Sequence, residues 1–374
     1  MGQIQRHPAR ASQPALSVYL QELGPDLVGI LLSLATPTYF HLKWVPLLAV
    51  QPLPPLFSTM LSINPQVSLV VYMVTFLTGL PPNLLAFCVF VVKARRRLLP
   101  ADVLLLNLTV SDLLLLAFLP IRIAEASWDM KWRMPDFLCP FFSFLFFSSI
   151  YITILSLMGV SIDCYLSVAF PLRYKARCRP AYAMAAAILF WLAAFSHCSI
   201  VIMVLYQGMT NDTASNPTRC YATFTDQQLA LLLPVRLEIF IVLFCLPFCI
   251  TAFCYARFIS IIHSLPLVST GRKHRAIGLM VATFLIFVIC VAPFSFSHLV
   301  GYMQQKSPDW RDYAVLLSTF NSSFDPIIFY FSSSSFQKIC LQAAWEKLRL
   351  GWVCAGVWLE SPENEATEDS QMVQ

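Results

Sequence analysis

The stretch LLLNLTVSDLLLLAFLP, residues 104–120, sets an aspartate, Asp112, in the middle of a run that is otherwise almost wholly apolar. Extended to 101–123, the run is long enough to cross about 30 Å of hydrocarbon as a helix. A carboxylate there is costly to bury, so it marks either interhelical hydrogen bonding or function. Six further apolar runs follow the same rule, at 68–92, 137–169, 182–206, 229–259, 276–302 and 313–332. The whole chain agrees with them. Of its 374 residues, 58% are hydrophobic and only 12% charged, and a mean hydropathy of +0.68 lies well away from an ordinary soluble domain. The expected fold is an all-α membrane protein, a bundle of seven transmembrane helices. Single runs show no alternation of polar and apolar residues, which argues against an outer-membrane barrel.

Orientation follows from the basic residues. Lys93, Arg95, Arg96 and Arg97 follow the first run, Arg173, Lys175, Arg177 and Arg179 the third, and Arg257, Arg272, Lys273 and Arg275 the fifth. That side is expected to face the cytoplasm, with the amino terminus outside. The net charge of +5 is then mostly an inner-leaflet feature and gives no reason to expect nucleic acid.

Twelve cysteines do not make a disulfide scaffold here. Cys88, Cys198, Cys245, Cys249, Cys254 and Cys290 fall inside apolar runs and read as small hydrophobes. Cys139, at the outer mouth of the third run, and Cys220, in the second outer loop, are the pair placed in an oxidising compartment where a bridge is feasible. Of the sequons, Asn211 in NDT sits in an outer loop and is the expected glycosylation site, whereas Asn107 and Asn321 lie within membrane runs.

Three regions are expected. Residues 1–66 form an extracellular extension, disordered or an alternative start, because WVPLLAVQPLPPLF is too proline-rich for a helix and Met60 offers a second initiator. Residues 67–332 form the membrane domain. Residues 333–374 hold an amphipathic helix on the inner leaflet, with Phe336, Ile339, Cys340, Ala343, Ala344 and Leu348 on its apolar face, and an acidic tail. Cys340 and Cys354 are lipidation candidates there, a free thiol being the plainer reading.

Polar and proline marks inside the runs are few. They are Asn83 in GLPPNLLAF, Asp112, SIDCY at 161–165, Trp191, Pro247 with Tyr255, Phe287 with Pro293, and NSSFDPIIFY at 321–330. Any one of these is readily explained as glue between helices. In this order over seven spans, together with the Cys139 and Cys220 pair, they resemble the rhodopsin-like G-protein-coupled receptors. Further stretches, FSSIYITI, FSHCSIVI, LLPVRLE, SHLVGYMQQKSPDWR and DPIIFYFSSSSF, are similar to the short-chain free fatty acid receptors over residues 67–336.

The resemblance implies a short-chain carboxylate ligand held by Arg236 in PVRLE, Arg311 in SPDWR, His197 in SHC and His298 in SHLVGY. The residues support this reading on their own terms. Two permanent cations facing one interior repel in a low dielectric and call for an anion, and a guanidinium fork matches a carboxylate. Competing readings are that Arg236 pairs with Glu238, and that Arg311, beside Asp309 and Asp312, is a solvated loop charge. Phe147, Phe294, Ile150 and Ile200 are expected to wall the ligand tail and to limit it to about two to six carbons. Arg122 and Glu125, three apart, read as a helical ion pair.

The resemblance also implies a sodium-and-water cluster of Asp112, Asn83, Thr153 and Asn321, and a seventh-helix break at Asp325 and Pro326. For coupling it implies Asp163, Cys164 and Tyr165, where Cys164 stands in place of the family's usual arginine. A thiol is a weak donor and ordinarily uncharged, so it can neither pair with Asp163 nor swing to a partner as arginine does. The expected partners are the carboxylate, a heterotrimeric G protein of the Gi/o or Gq type, membrane lipid and, by resemblance, arrestin and a receptor kinase. The alternative is a chain that binds its ligand without coupling, or a damaged allele. No cofactor and no enzymatic activity are expected, since zinc-site spacing, a phosphate loop and a GxSxG elbow are all missing from the sequence.

Overall fold

A computed structural model describes residues 64–95, 98–177, 179–211, 220–221, 224–266 and 269–332. The expectations for residues 1–63, for the amphipathic helix and for the acidic tail fall outside the described residues. The described residues form ten α-helices: α1 (Pro65–Ala94), α2 (Pro100–Ser127), α3 (Leu138–Ala169), the short α4 (Pro171–Arg177), α5 (Pro180–Asn211), α6 (Asp226–Ile239), α7 (Leu246–Ser264), α8 (Thr270–Gln304), α9 (Arg311–Thr319) and α10 (Asn321–Ser332). A π-helical turn, Phe240–Cys245, joins α6 to α7, so that the three make one continuous fifth pass. Six passes are long and apolar enough to cross a membrane. The seventh is α9 followed by α10.

Helices overrun the apolar runs because hydrogen bonding continues past the hydrocarbon edge. At the start of α1, the Asn64 side chain accepts the Gln66 N–H at 2.9 Å, with Pro65 in the first turn where its missing donor costs nothing. Asp102 accepts the Leu99 N–H at 3.0 Å in the first turn of α2 and also pairs with Lys93 at 2.6 Å. Thr225 and Gln228 close a capping box at the start of α6.

The prolines shape the passes. Pro326 cannot donate to the Ser322 carbonyl one turn before it. That carbonyl instead accepts Asn83 Nδ2 from α1 at 2.7 Å, and Pro326 therefore stays inside α10. The break expected at Asp325 and Pro326 falls earlier, at Phe320, whose N–H turns back to Leu317 and Ser318 and interrupts the ladder there. In the fifth pass the π turn directly precedes Pro247, where the helix has already lost a backbone bond.

α3 runs through the middle of the bundle. Of its membrane window, 72% is buried inside the protein, against 28–44% for the other five long passes. A disulfide between Cys139 and Cys220, as expected, pins the segment 220–221 over the amino-terminal end of α3.

Candidate functional site

Arg236 lies in α6 and Arg311 opens α9, and both are buried. Local structure puts them together. α8 stops at Gln304, Gln305 takes a left-handed conformation with φ 53°, and the Lys306 N–H returns to the Gly301 carbonyl at 3.2 Å. A Cβ at Gly301 would stand 3.2 Å from the Lys306 oxygen and 3.3 Å from Pro308, so glycine is what lets this loop fold back on its helix. The fold-back brings Ser307 to Arg236, whose Nη1 donates to its hydroxyl at 2.7 Å, and starts α9 with Arg311 pointing inward.

One ring connects the two cations. The Tyr221 centroid is 5.6 Å from the Arg236 guanidinium carbon and 5.7 Å from that of Arg311. Phe224 stacks on Arg236 at 5.2 Å, while Phe147 and Phe294 face Arg311 at 5.3 and 5.4 Å. Among the described residues, neither arginine has a carboxylate within ion-pair distance. Nε and Nη2 of Arg236 and Nε of Arg311 are buried with no hydrogen-bond partner. The competing readings are thereby answered: Glu238 does not neutralise Arg236, and Arg311 is no solvated loop charge.

His298, four residues after Phe294 on α8, joins them. Its Nε2 shares a 2.7 Å hydrogen bond with the Tyr151 hydroxyl of α3, its ring meets Phe294 edge-on at 4.9 Å, and its buried Nδ1 has no partner. When Nε2 accepts the tyrosine proton, Nδ1 carries a proton free to donate. Phe147 and Phe294 stack at 5.9 Å, and Ile150 and Ile200 are buried.

His197 stands apart from this group. Its Nδ1 lies 2.8 Å from the Ala193 carbonyl of its own helix, and its Nε2 is 3.5 Å from Glu238, whose side chain is 56% exposed. None of its contacts is with Arg236, Arg311 or His298. Tyr221, Phe224, Ser307 and Tyr151 were not singled out as site residues from sequence. Their one legible signal was position: Tyr221 follows a bridging cysteine and Ser307 opens SPDWR.

A second polar cluster lies deeper. Thr153 donates to Asp112 at 3.4 Å and also contacts Ser111, Asn321 donates to Asp325 at 2.8 Å, and Asn83 bridges the Gly79 and Ser322 carbonyls. Asp112 of α2 and Asp325 of α10 are both buried in this cluster and lie close enough for their carboxyls to interact. Asp112 Oδ2 and the side-chain oxygens of Asn83 and Asn321 are buried acceptors without partners. Asp325, unassigned from sequence to this cluster, belongs to it by geometry. Beside it, Asn107 joins three passes, donating to Ser156 at 2.7 Å and accepting Trp191 Nε1 at 2.8 Å.

Near the carboxyl-terminal end of α3, both carboxylate oxygens of Asp163 accept the Tyr174 hydroxyl of α4 at 3.0 Å. Tyr165 packs edge-on against Phe253 and Phe170, and Cys164 is a free thiol. Asn211 is the last residue of α5, and the rest of its sequon lies outside the described residues.

Seven passes with the third buried among the others, a disulfide at the amino-terminal end of that third helix and a buried polar cluster define a rhodopsin-type receptor, and the family model "7 transmembrane receptor (rhodopsin family)" matches residues 82–329. The chain is 50% identical over 267 residues to Free fatty acid receptor 3 of Mus musculus, covering 71% of this chain and 83% of that one. It is also 50% identical over 268 residues to Free fatty acid receptor 2 of Homo sapiens, covering 71% and 81%, and 30% identical over 277 residues to Free fatty acid receptor 1 of Macaca fascicularis, covering 72% and 92%. The chain belongs to the free fatty acid receptors, a G-protein-coupled family within the rhodopsin class. It is thus a multi-pass plasma-membrane receptor with a small-molecule ligand and a heterotrimeric G protein as partner, and it is not an enzyme.

Proposed function

We propose that the chain is a receptor for short-chain carboxylate anions such as acetate, propionate and butyrate, with Arg236 and Arg311 as the anion-binding pair. The observation that carries this reading is the pair of buried guanidinium groups on one tyrosine ring, with unmet N–H donors and no carboxylate partner among the described residues. At neutral pH such acids are almost wholly ionised, since simple carboxyls titrate near about 4 to 5. The anion would offset the repulsion between the cations and accept their free donors, with His298 Nδ1 as a third. Phe147, Phe294, Ile150 and Ile200 would take the tail, and their bulk favours few carbons. His197 would act from the rim through Glu238.

Coupling to Gi/o or Gq is the companion proposal, with an extracellular amino terminus, a glycan on Asn211, and arrestin and a receptor kinase as later partners. Asp112, Asn83, Thr153 and Asn321, with Asp325, would hold sodium; their orphaned oxygens are hard acceptors of the kind it takes. A second reading has its own observation. Asp163 is occupied by Tyr174, and the neighbouring Cys164 has no charge to offer a G protein, which suits a receptor that binds without coupling.

The test is a G-protein dissociation assay dosed from acetate to hexanoate, on this chain and on Cys164→Arg. Responses from both support a coupling receptor, and a response from the arginine variant alone supports the second reading. Silence from both overturns the ligand assignment.

A further inference from the structure

Glu125 does more than pair with Arg122 along α2. It is only 1% exposed, and its two oxygens have different tasks. Oε2 accepts Arg122 Nη1 at 2.9 Å, and Oε1 accepts the backbone N–H of Cys220 at 3.2 Å, across 95 residues of chain. Arg122 is itself seated over the Phe146 ring of α3 at 5.1 Å, next to Phe147 of the proposed tail wall. The segment 220–221 is therefore held by two ties from two helices: the Cys139 disulfide from α3, with Ser143 3.3 Å from the Cys220 sulfur, and the Glu125 carboxylate from α2.

What these ties hold is strained. Tyr221 has φ 57°, a left-handed conformation unusual for a bulky side chain, and such a conformation persists only where its surroundings over-determine it. Its ring touches Phe147 at 5.1 Å and Phe224 at 5.0 Å as well as both guanidiniums. The disulfide fixes the position of the Cys220 side chain but leaves the peptide plane free to rotate. A hydrogen bond to the Cys220 N–H removes that freedom one residue before the strained bond.

We infer that Glu125 is a positioning residue for ligand recognition: its Oε1 locks the Cys220 peptide, which holds Tyr221 in its left-handed conformation as the shared cover of Arg236 and Arg311. Arg122, paired with Oε2 at 2.9 Å, keeps that carboxylate aimed. The inference rests on the proposed anion site, because a cover matters only if the arginines bind something.

Two substitutions separate the roles of the two oxygens. Glu125→Gln retains an oxygen acceptor for the Cys220 N–H, while Glu125→Ala removes it. Full-length receptor in nanodiscs is compared by hydrogen exchange over the peptide carrying Cys220 and Tyr221, and by saturation-transfer NMR titration with propionate. Glu125→Ala is expected to speed exchange at that peptide and to weaken propionate about tenfold, the scale of one buried charge-assisted hydrogen bond, while Glu125→Gln stays within about threefold of the parent on both readouts. Unchanged exchange in Glu125→Ala overturns the latch. Faster exchange with unchanged propionate affinity overturns the positioning role. Loss in Gln equal to loss in Ala overturns it as well, since the acceptor would then be irrelevant. If the parent itself binds no propionate, the anion reading fails and the positioning claim fails with it, while the exchange data still report on the Cys220 contact.

Discussion

Asn83 Nδ2 donates at 2.7 Å to the carbonyl of Ser322, the group that Pro326 leaves without its helical donor. A residue in the first pass thus completes the backbone of the seventh. Asn83→Ala should destabilise the receptor by about 1–3 kcal/mol, the cost of a buried carbonyl left unmet. In a Pro326→Ala background, where the helix can supply its own N–H, the same substitution should cost clearly less. Thermal unfolding of the four proteins of this cycle in detergent would check it, and simple additivity would contradict the coupling.

The Asp163 carboxylate and the Tyr174 hydroxyl join α3 to the short helix α4. Tyr174→Phe should cost about 1.5–3 kcal/mol in the same unfolding assay, the range for a hydrogen bond to a charged acceptor. In Cys164→Arg, where a guanidinium is available to the same carboxylate, the loss should be smaller.

Charge, more than shape, should decide binding at Arg236 and Arg311. Propionamide has nearly the outline of propionate but no charge, and it should bind at least about thirtyfold more weakly, corresponding to about 2 kcal/mol for a lost charge pairing. Competition between the two in NMR titration measures the difference directly. Equal affinity would mean that the guanidiniums are not the recognition element.

Tail length should follow the stacked pair Phe147 and Phe294. Phe147→Ala should move the preferred acid towards longer chains, each accommodated methylene gaining about 0.8 kcal/mol. Dose responses from acetate to octanoate would show a shifted optimum. A uniform loss across the series would show instead that the ring supports Arg311 without walling the tail.

The seven passes were legible because a bilayer imposes its thickness on the sequence, and Asp112, Arg236 and Arg311 stood out because a charge in an apolar run is rare. The cysteine pair was legible from compartment alone. Features that depend on which way a side chain leaves its helix were not. His197 lies in a mostly apolar pass, and only the packed helices show it meeting Glu238 in preference to the arginines. The bond from Glu125 to Cys220 joins residues far apart in sequence, with only the nearer Arg122 pairing visible along the chain. The π turn at Phe240–Cys245 and the left-handed Tyr221 arise from tertiary strain that local propensity does not encode. The break at Phe320 was misplaced because Pro326 is the obvious breaker, and its defect is repaired from another helix.

The most direct measurement is the propionate affinity of the parent chain, Arg236→Gln and Arg311→Gln in nanodiscs, with surface expression and the Cys139 to Cys220 bridge verified for each. The parent is expected to bind, and each substitution to weaken binding by at least about thirtyfold, as when one partner of a buried charge pair is removed. Retained affinity in both variants would contradict the central claim that these two guanidiniums hold the ligand carboxylate.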